Sequence, residues 1–258
     1  MLIDSHCHLN YPGLVEDEGG VLARARGAGV SAMISISTRE AEWEAVIAGA
    51  ERHADVFATV GIHPHEADQH PGTDTARLVA AADHPRVVGI GETGLDFYYD
   101  RSDRQRQEAS FRAHCRAARA TGLPLVVHSR DAEAATIRVL TEELGEGRFP
   151  FLIHCFTGTQ WLADEALRLG GYVSLSGIVT FRNAKALQEV AKTIPEERLL
   201  VETDAPFLAP VPVRGQTCEP AFVRHTAQFL ADLRGVPLAS LAQATAANTR
   251  ALFSRMGC

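Results

Sequence analysis

The feature that most constrains the fold is a regular alternation of short apolar runs with longer amphipathic segments. The runs have strand length and are rich in aliphatic residues, whereas the segments between them repeat apolar residues at helical spacing. Strands are predicted near 2–5, 32–37, 56–61, 87–91, 123–127, 151–153, 172–175 and 199–202, and helices include 16–28, 40–53, 103–121, 161–169 and 184–193.

Eight strands alternating with helices in about 250 residues is typical of an α/β protein of the closed parallel (β/α)8 barrel type, the TIM barrel. The main alternative is an open doubly wound sheet, which places its ligands at one switch point. Polar side chains suited to metal binding follow the first, fourth, fifth, sixth and eighth predicted strands. Side chains on so many strands must surround a common centre, so the pattern favours the barrel, with its site at the C-terminal mouth of the strands.

Composition indicates one globular domain over residues 1–258. The apolar content is 46%, and no Pro/Gly/Ser-rich linker or charge block divides the chain. Met1 leads directly into the first predicted strand without a signal-peptide pattern, and no apolar run of about 18 residues occurs. We therefore expect a cytoplasmic, monomeric protein that does not enter a membrane.

The five cysteines lack C-x-x-C spacing, which argues against disulfides and zinc ribbons. All five are expected to be reduced thiols. Cys7 and Cys155 neighbour candidate metal ligands, but strand alternation predicts that both face the opposite side and pack in the core.

Six side chains of metal-ligating type end five predicted strands. Residues two apart in a strand face the same side, so both histidines of the first strand can reach one ion. Six mixed ligands exceed a closed four-ligand structural site and suit two ions with open positions for water. The candidate ligands are His6, His8, Glu92, His128, His154 and Asp204.

The expected arrangement has His6, His8 and Asp204 on one ion, His128 and His154 on the other, and Glu92 between them. A carbamylated lysine cannot be the bridge, because the two lysines, Lys185 and Lys192, lie in a predicted helix. Imidazole and carboxylate ligands accept Zn, Mn, Fe, Ni and, with water, Mg, so two divalent ions (Mg, Mn or Zn) are expected without a choice among them.

Two adjacent ions indicate hydrolysis at phosphorus or at a carbonyl carbon. Asp204 is the candidate to take or steer the proton of the attacking water, and its alternative role is that of a plain ligand.

Six sequence blocks resemble the signature of the TatD family of metal-dependent deoxyribonucleases, in order and over nearly the whole chain. The resemblance implies a (β/α)8 barrel of the amidohydrolase superfamily that hydrolyses DNA as a 3′-to-5′ exonuclease preferring single strands, and it implies the same metal ligands. The blocks are IDSHCHL at 3–9, GIHPH at 61–65, GIGETGLD at 89–96, VHSRDA at 127–132, HCFTG at 154–158 and LVETDAP at 200–206.

The candidate catalytic residues are Asp204, Glu92 and His63, of which the resemblance adds His63. It also implies that His63 and Arg130 lie near the scissile phosphate. His63 is expected to orient or protonate a leaving oxygen, and Arg130 to pair with a phosphate. A loop cap for His63 and a surface ion pair for Arg130 are the alternatives. Residues 214–220 keep Arg214 as a substrate-binding candidate but have Cys218 where the family commonly has asparagine, which puts any contact of that asparagine in doubt.

The net charge of −7 and pI of about 5.9 argue against a grip on long duplex DNA. A strand end needs only a small site, to which two divalent ions add positive charge. Phe97, Tyr98 and Tyr99 are candidates for stacking on bases, with packing at the barrel rim as the alternative. Arginines expected in or near the loops of the mouth are Arg101, Arg104, Arg106, Arg130, Arg182 and Arg214.

Three classes of function remain open. The leading one is an exodeoxyribonuclease used in DNA repair or fragment turnover, with DNA single strands or 3′ ends as the partner. The second is a metallohydrolase acting on an amide, lactone or aminoacyl ester, which would ignore DNA length and salt. The third is a non-enzymatic metal-binding scaffold, which the complete ligand set disfavours.

Overall fold

The computed structural model describes residues 1–257, and within them eight parallel strands form one sheet in chain order. The strands are β1 (Leu2–Cys7), β2 (Val30–Ser35), β3 (Val56–Val60), β4 (Val87–Asp96), β5 (Leu125–Arg130), β6 (Phe151–Ile153), β7 (Tyr172–Leu175) and β8 (Leu199–Val201). The α-helices are α1 (Glu18–Gly27), α2 (Trp43–Arg52), α3 (Thr75–Ala81), α4 (Arg104–Thr121), α5 (Glu133–Gly145), α6 (Gln160–Arg168), α7 (Lys185–Thr193), α8 (Val223–Arg234) and α9 (Leu238–Leu252).

The sheet curls until its first and last strands meet. Cys7 forms a parallel bridge with Ala205 just beyond β8, and the Asp204 N–H donates to the His6 carbonyl at 2.9 Å. The sheet is therefore a nearly closed (β/α)8 barrel, and the fold prediction is confirmed.

Apolar side chains fill the barrel interior away from the mouth. Ile3, Val88, Val126 and Leu200 form one buried cluster with Phe253, which lies just after α9 and is fully buried. A larger cluster joins the outer strand faces to the helices. Because the interior is a packed core rather than a pore, the polar residues at the strand ends are accessible from the mouth alone.

An irregularity in β1 turns two histidines toward the mouth. Ile3 belongs to the interior cluster and Ser5 bonds across the interior to Ser174, so simple alternation would place Cys7 inside. The pairing with β2 shifts register between Asp4 and Cys7. His6 consequently faces the interior, while Cys7 packs in the outer cluster as predicted.

Strand β4 is the one element whose predicted extent differs greatly from the observed one. The other predicted boundaries lie within three residues of the observed ones, but β4 runs to Asp96 instead of ending at residue 91. Gly94 has a φ of 138°, and a Cβ there would overlap the carbonyl oxygen of His128 on β5. Glycine at this position allows the close approach of the two strands.

The orientation predicted for Cys155 is wrong. Its φ of 40° interrupts strand alternation, and the residue lines the mouth cavity instead of joining the core. Its thiol lies 3.2 Å from the Ser176 hydroxyl. The four described cysteines are free thiols. Cys258, for which a reduced thiol is also expected, lies outside the described residues. Among helices of the described chain, none is both long and apolar enough to cross a membrane.

Candidate metal and substrate site

A cavity of about 700 Å³ opens at the C-terminal mouth of the barrel, and the residues at the strand ends line it. Five of the six candidate ligands form part of its surface: His8, Glu92, His128, His154 and Asp204. The sixth, His6, lies directly beneath them and is fully buried.

Glu92 stands between two groups of imidazoles, with one carboxylate oxygen toward each. Its Oε2 is 3.3 Å from His6 Nε2, whereas its Oε1 is 3.1 Å from His128 Nδ1 and 2.8 Å from His154 Nε2. Burial alone would raise the pKa of Glu92, but the surrounding imidazoles outweigh it and hold the pKa well below the usual range. Glu92 is thus an ionised carboxylate with one oxygen near each group of imidazoles.

The first group consists of His6, His8 and Asp204. The Ile36 carbonyl accepts a hydrogen bond from His8 Nδ1 at 3.0 Å, so the lone pair of His8 is on Nε2. That nitrogen lies 3.3 Å from His6 Nε2, and Asp204 Oδ1 lies 3.5 and 3.4 Å from the two nitrogens. Converging imidazole nitrogens and a carboxylate in a buried place are a donor set that fits a divalent cation.

The second group consists of His128 and His154, and each has a carboxylate behind it. His128 Nε2 lies 3.1 Å from Asp96 Oδ2, and His154 Nδ1 lies 3.4 Å from Glu202 Oε1. Carboxylates in this position orient an imidazole and make it a better ligand. Sequence reasoning assigned no role to Asp96 or Glu202, although both are acidic residues within the family blocks 89–96 and 200–206.

His63 lies against the second group but its hydrogen bonds distinguish it from a ligand. Its Nδ1 accepts the His65 N–H at 3.0 Å, so in the neutral ring the proton is on Nε2, 3.3 Å from Glu92 Oε1. Burial lowers the pKa of His63 to about 4, which keeps the ring neutral near pH 7. His63 is therefore a hydrogen-bond donor facing the cavity.

Arg130 and Tyr99 line the edge of the cavity beside β4 and β5, and Tyr98 packs next to them. The Arg130 guanidinium stacks 4.4 Å from the Tyr98 ring centre and 4.7 Å from that of Tyr99. No carboxylate of residues 1–257 forms an ion pair with Arg130. Asp96 Oδ1 accepts the N–H groups of both tyrosines at 3.0 Å, which fixes the turn that carries them.

Three substrate-binding candidates do not line the cavity: Phe97, Tyr98 and Arg214. Tyr98 nevertheless stacks on Arg130, which does line it. Phe97 packs against the outer core, with the Arg104 guanidinium 4.4 Å from its ring centre, so its position does not support a contact with substrate. Arg214 lines a neighbouring cavity instead. Sequence reasoning missed Tyr11 and Phe207, which line the cavity beside His8, and neither has a motif signal.

Cys218, which stands where asparagine is common, is buried, and its N–H donates to the Pro206 carbonyl at 3.0 Å. The next residue, Glu219, accepts two hydrogen bonds from Arg24 of α1 at 3.1 and 2.8 Å. The loop is thus held in place without an amide side chain at position 218.

Comparison with known proteins gives one consistent result. The model of the family described as TatD related DNase matches residues 3–254. The uncharacterized metal-dependent hydrolase YcfH of Escherichia coli K12 is 41% identical, with 98% of this chain and 95% of that protein covered. The 3′-5′ ssDNA/RNA exonuclease TatD of Enterobacter lignolyticus is 37% identical, with 98% of each chain covered.

Among solved structures, the TatD homolog YJJV of Escherichia coli K12 superimposes with a TM-score of 0.92 at 30% identity, covering 98% of both chains. The predicted resemblance is confirmed. The chain belongs to the TatD-related DNase family.

Proposed function

We propose that this protein is a metal-dependent exodeoxyribonuclease that removes nucleotides from the 3′ end of single-stranded DNA. Family membership and the names of the relatives support a metal-dependent hydrolase. The observation that carries the exonuclease proposal is Arg130, an arginine with no acidic partner among residues 1–257, stacked on two tyrosines at the edge of an imidazole and carboxylate cavity.

In the proposed arrangement, His6, His8 and Asp204 hold one divalent ion, His128 and His154 hold a second, and Glu92 bridges them. The separate directions of the two Glu92 oxygens support this division. When bound, Mg, Mn or Zn ions would activate water and stabilise charge on the phosphate.

The protein's own groups bind and orient the phosphodiester. Arg130 would place two N–H donors on its non-bridging oxygens in fork geometry. His63 would donate its Nε2 proton in a hydrogen bond to the phosphate or the leaving oxygen. Asp204, whose hydrogen bond to His8 and neighbouring imidazoles lower its pKa against the effect of burial, would accept a proton from the attacking water.

The shape of the site favours a strand end over a duplex. A cavity of about 700 Å³ is in the range that accommodates a ligand of nucleotide size. Tyr98 is 57% exposed and Tyr99 is 46% exposed, so their outer surfaces can contact a terminal base. A net charge of −7 agrees with a local grip on a few phosphates.

The test is a time course with 5′-labelled single-stranded DNA in Mg or Mn and in chelator. Wild type should produce a ladder of products that shortens from the 3′ end only when metal is present. Asp204→Asn should produce no ladder. Asp83→Asn, at an exposed position outside the cavity, is the matched control and should act like wild type. A metal-loaded protein that leaves DNA intact but hydrolyses a lactone or an aminoacyl ester would overturn the proposal in favour of a carbonyl hydrolase.

A further inference from the structure

A second cavity, of about 590 Å³, lies beside the mouth and takes no part in the site described above. The loops after β7 and β8 form it, and we call it the 182/214 groove. The lining residues are Phe181, Arg182, Asn183, Val211 and Arg214.

The groove adjoins the metal cavity through the same two loops. Ile178 of the first loop and Leu208 of the second line the metal cavity, and each is three residues before a residue of the groove. Three residues span at most about 10 Å. A polymer held at the metal site would therefore reach the groove within a short length.

Hydrogen bonds fix the two loops against each other. The Val211 N–H donates to Thr180 Oγ1 at 2.9 Å, and the Thr180 hydroxyl donates to the Gly177 carbonyl at 2.7 Å. A Cβ at Gly177 would overlap the carbonyl oxygen of Leu208, so glycine permits this close approach. The walls of the groove are consequently formed before any ligand binds.

The charge of the groove is unusual for this acidic chain. Arg24, Arg52 and most other exposed arginines bond to a carboxylate or a carbonyl. Within residues 1–257, neither Arg182 nor Arg214 has a carboxylate at ion-pairing distance. The Arg214 guanidinium is held 3.9 Å above the centre of the Phe181 ring, with its in-plane donors available.

We propose that the 182/214 groove binds the part of a single-stranded nucleic acid that lies 5′ to the nucleotide being removed. Arg182 and Arg214 contact phosphodiester oxygens, and Phe181 and Val211 provide apolar surface for a sugar or base. The proposal rests on the proposed function, and it extends the substrate from a terminal phosphodiester to a strand that spans both cavities.

The test compares wild type with the double variant Arg182→Gln/Arg214→Gln. Arg250→Gln is the matched control, because Arg250 also lacks a carboxylate partner in the described chain but lies on α9, whose end packs at the opposite side of the barrel. Binding of a fluorescent 12-nucleotide single strand is measured in chelator. Hydrolysis of bis(p-nitrophenyl) phosphate is measured with metal.

The double variant should bind the 12-mer at least about tenfold more weakly per arginine removed. The slope of log affinity against log salt should fall by about 0.7 for each lost phosphate contact. Bis(p-nitrophenyl) phosphate carries a single phosphodiester and has no second phosphate for the groove arginines to contact. Its hydrolysis should be unchanged, as should all properties of Arg250→Gln.

Equal 12-mer affinity of wild type and the double variant would overturn the groove assignment, as would an equal loss on both substrates. A wild type that binds the 12-mer through the groove but releases no nucleotide with metal would refute the exonuclease and leave the groove standing. The binding and hydrolysis measurements thus separate the two proposals.

Discussion

His114 on α4 should make the stability of the protein depend on pH in a predictable direction. The ring is fully buried; its Nδ1–H donates to the Ser110 carbonyl at 2.7 Å, and its Nε2 accepts the Ile62 N–H at 2.9 Å. Both bonds require the neutral ring. Protonation would place a charge in the core and break the bond to Ile62, the residue before His63.

The magnitude follows from the shift in pKa. Burial lowers the pKa of His114 from 6.5 to about 4, so the unfolded chain takes up the proton first as the pH falls. The contribution is present above pH 6.5 and is lost as the pH falls toward 4. At 1.36 kcal/mol per unit of pKa, the full loss is about 3 kcal/mol, and about 2 kcal/mol is lost by pH 5.

The assay is urea unfolding, followed by circular dichroism at pH 7.5 and pH 5 in chelator. The variant His114→Gln loses the native contacts of the imidazole, so it should be less stable than wild type at pH 7.5. Because glutamine takes up no proton, the difference in unfolding free energy between wild type and variant should shrink by about 2 kcal/mol at pH 5. His225→Gln, at a half-buried position on α8, is the control and should keep the wild-type pH dependence. Parallel loss of stability in wild type and His114→Gln would refute the reasoning.

Three further predictions concern the site. Glu92→Gln removes the charge between the two imidazole groups, so metal content measured by mass spectrometry should fall along with hydrolysis; normal content and rate would exclude a bridge. Arg130→Ala should raise the KM for single-stranded DNA about tenfold or more with metal content unchanged, since it removes a charged hydrogen bond, and an unchanged KM would make Arg130 structural. Glu202→Gln should weaken metal binding or activity about 10- to 100-fold through His154, and wild-type metal affinity and rate would dismiss that positioning role.

The positions of the elements could be predicted from the sequence because apolar periodicity reports burial directly. The strand-end rule also placed His128 and His154 at the mouth, since β5 and β6 are short and regular. The C-terminal ends of parallel strands lie together at one mouth of the barrel. Six candidate ligands from five strands could therefore be grouped without knowledge of their contacts.

The rest depended on local departures from regular geometry. The register shift between Ile90 and Thr93 extends β4 beyond its glycines and brings Asp96 behind His128. The positive φ of Cys155 interrupts strand alternation, and the residue lines the cavity. No periodicity in the sequence encodes such irregularities. The separation of Arg214 from the metal cavity depends on packing between the loops after β7 and β8, which are distant in sequence and leave no local pattern.

Asp96 connects the turn that carries the two tyrosines to the imidazole of His128. One of its oxygens lies 3.1 Å from His128 Nε2 and 2.9 Å from His65 Nε2, and the other accepts the N–H groups of Tyr98 and Tyr99. A substitution that reshapes the tyrosine turn to admit a different base would also displace the carboxylate that orients His128. Redesign of specificity from this side of the mouth should therefore weaken metal affinity.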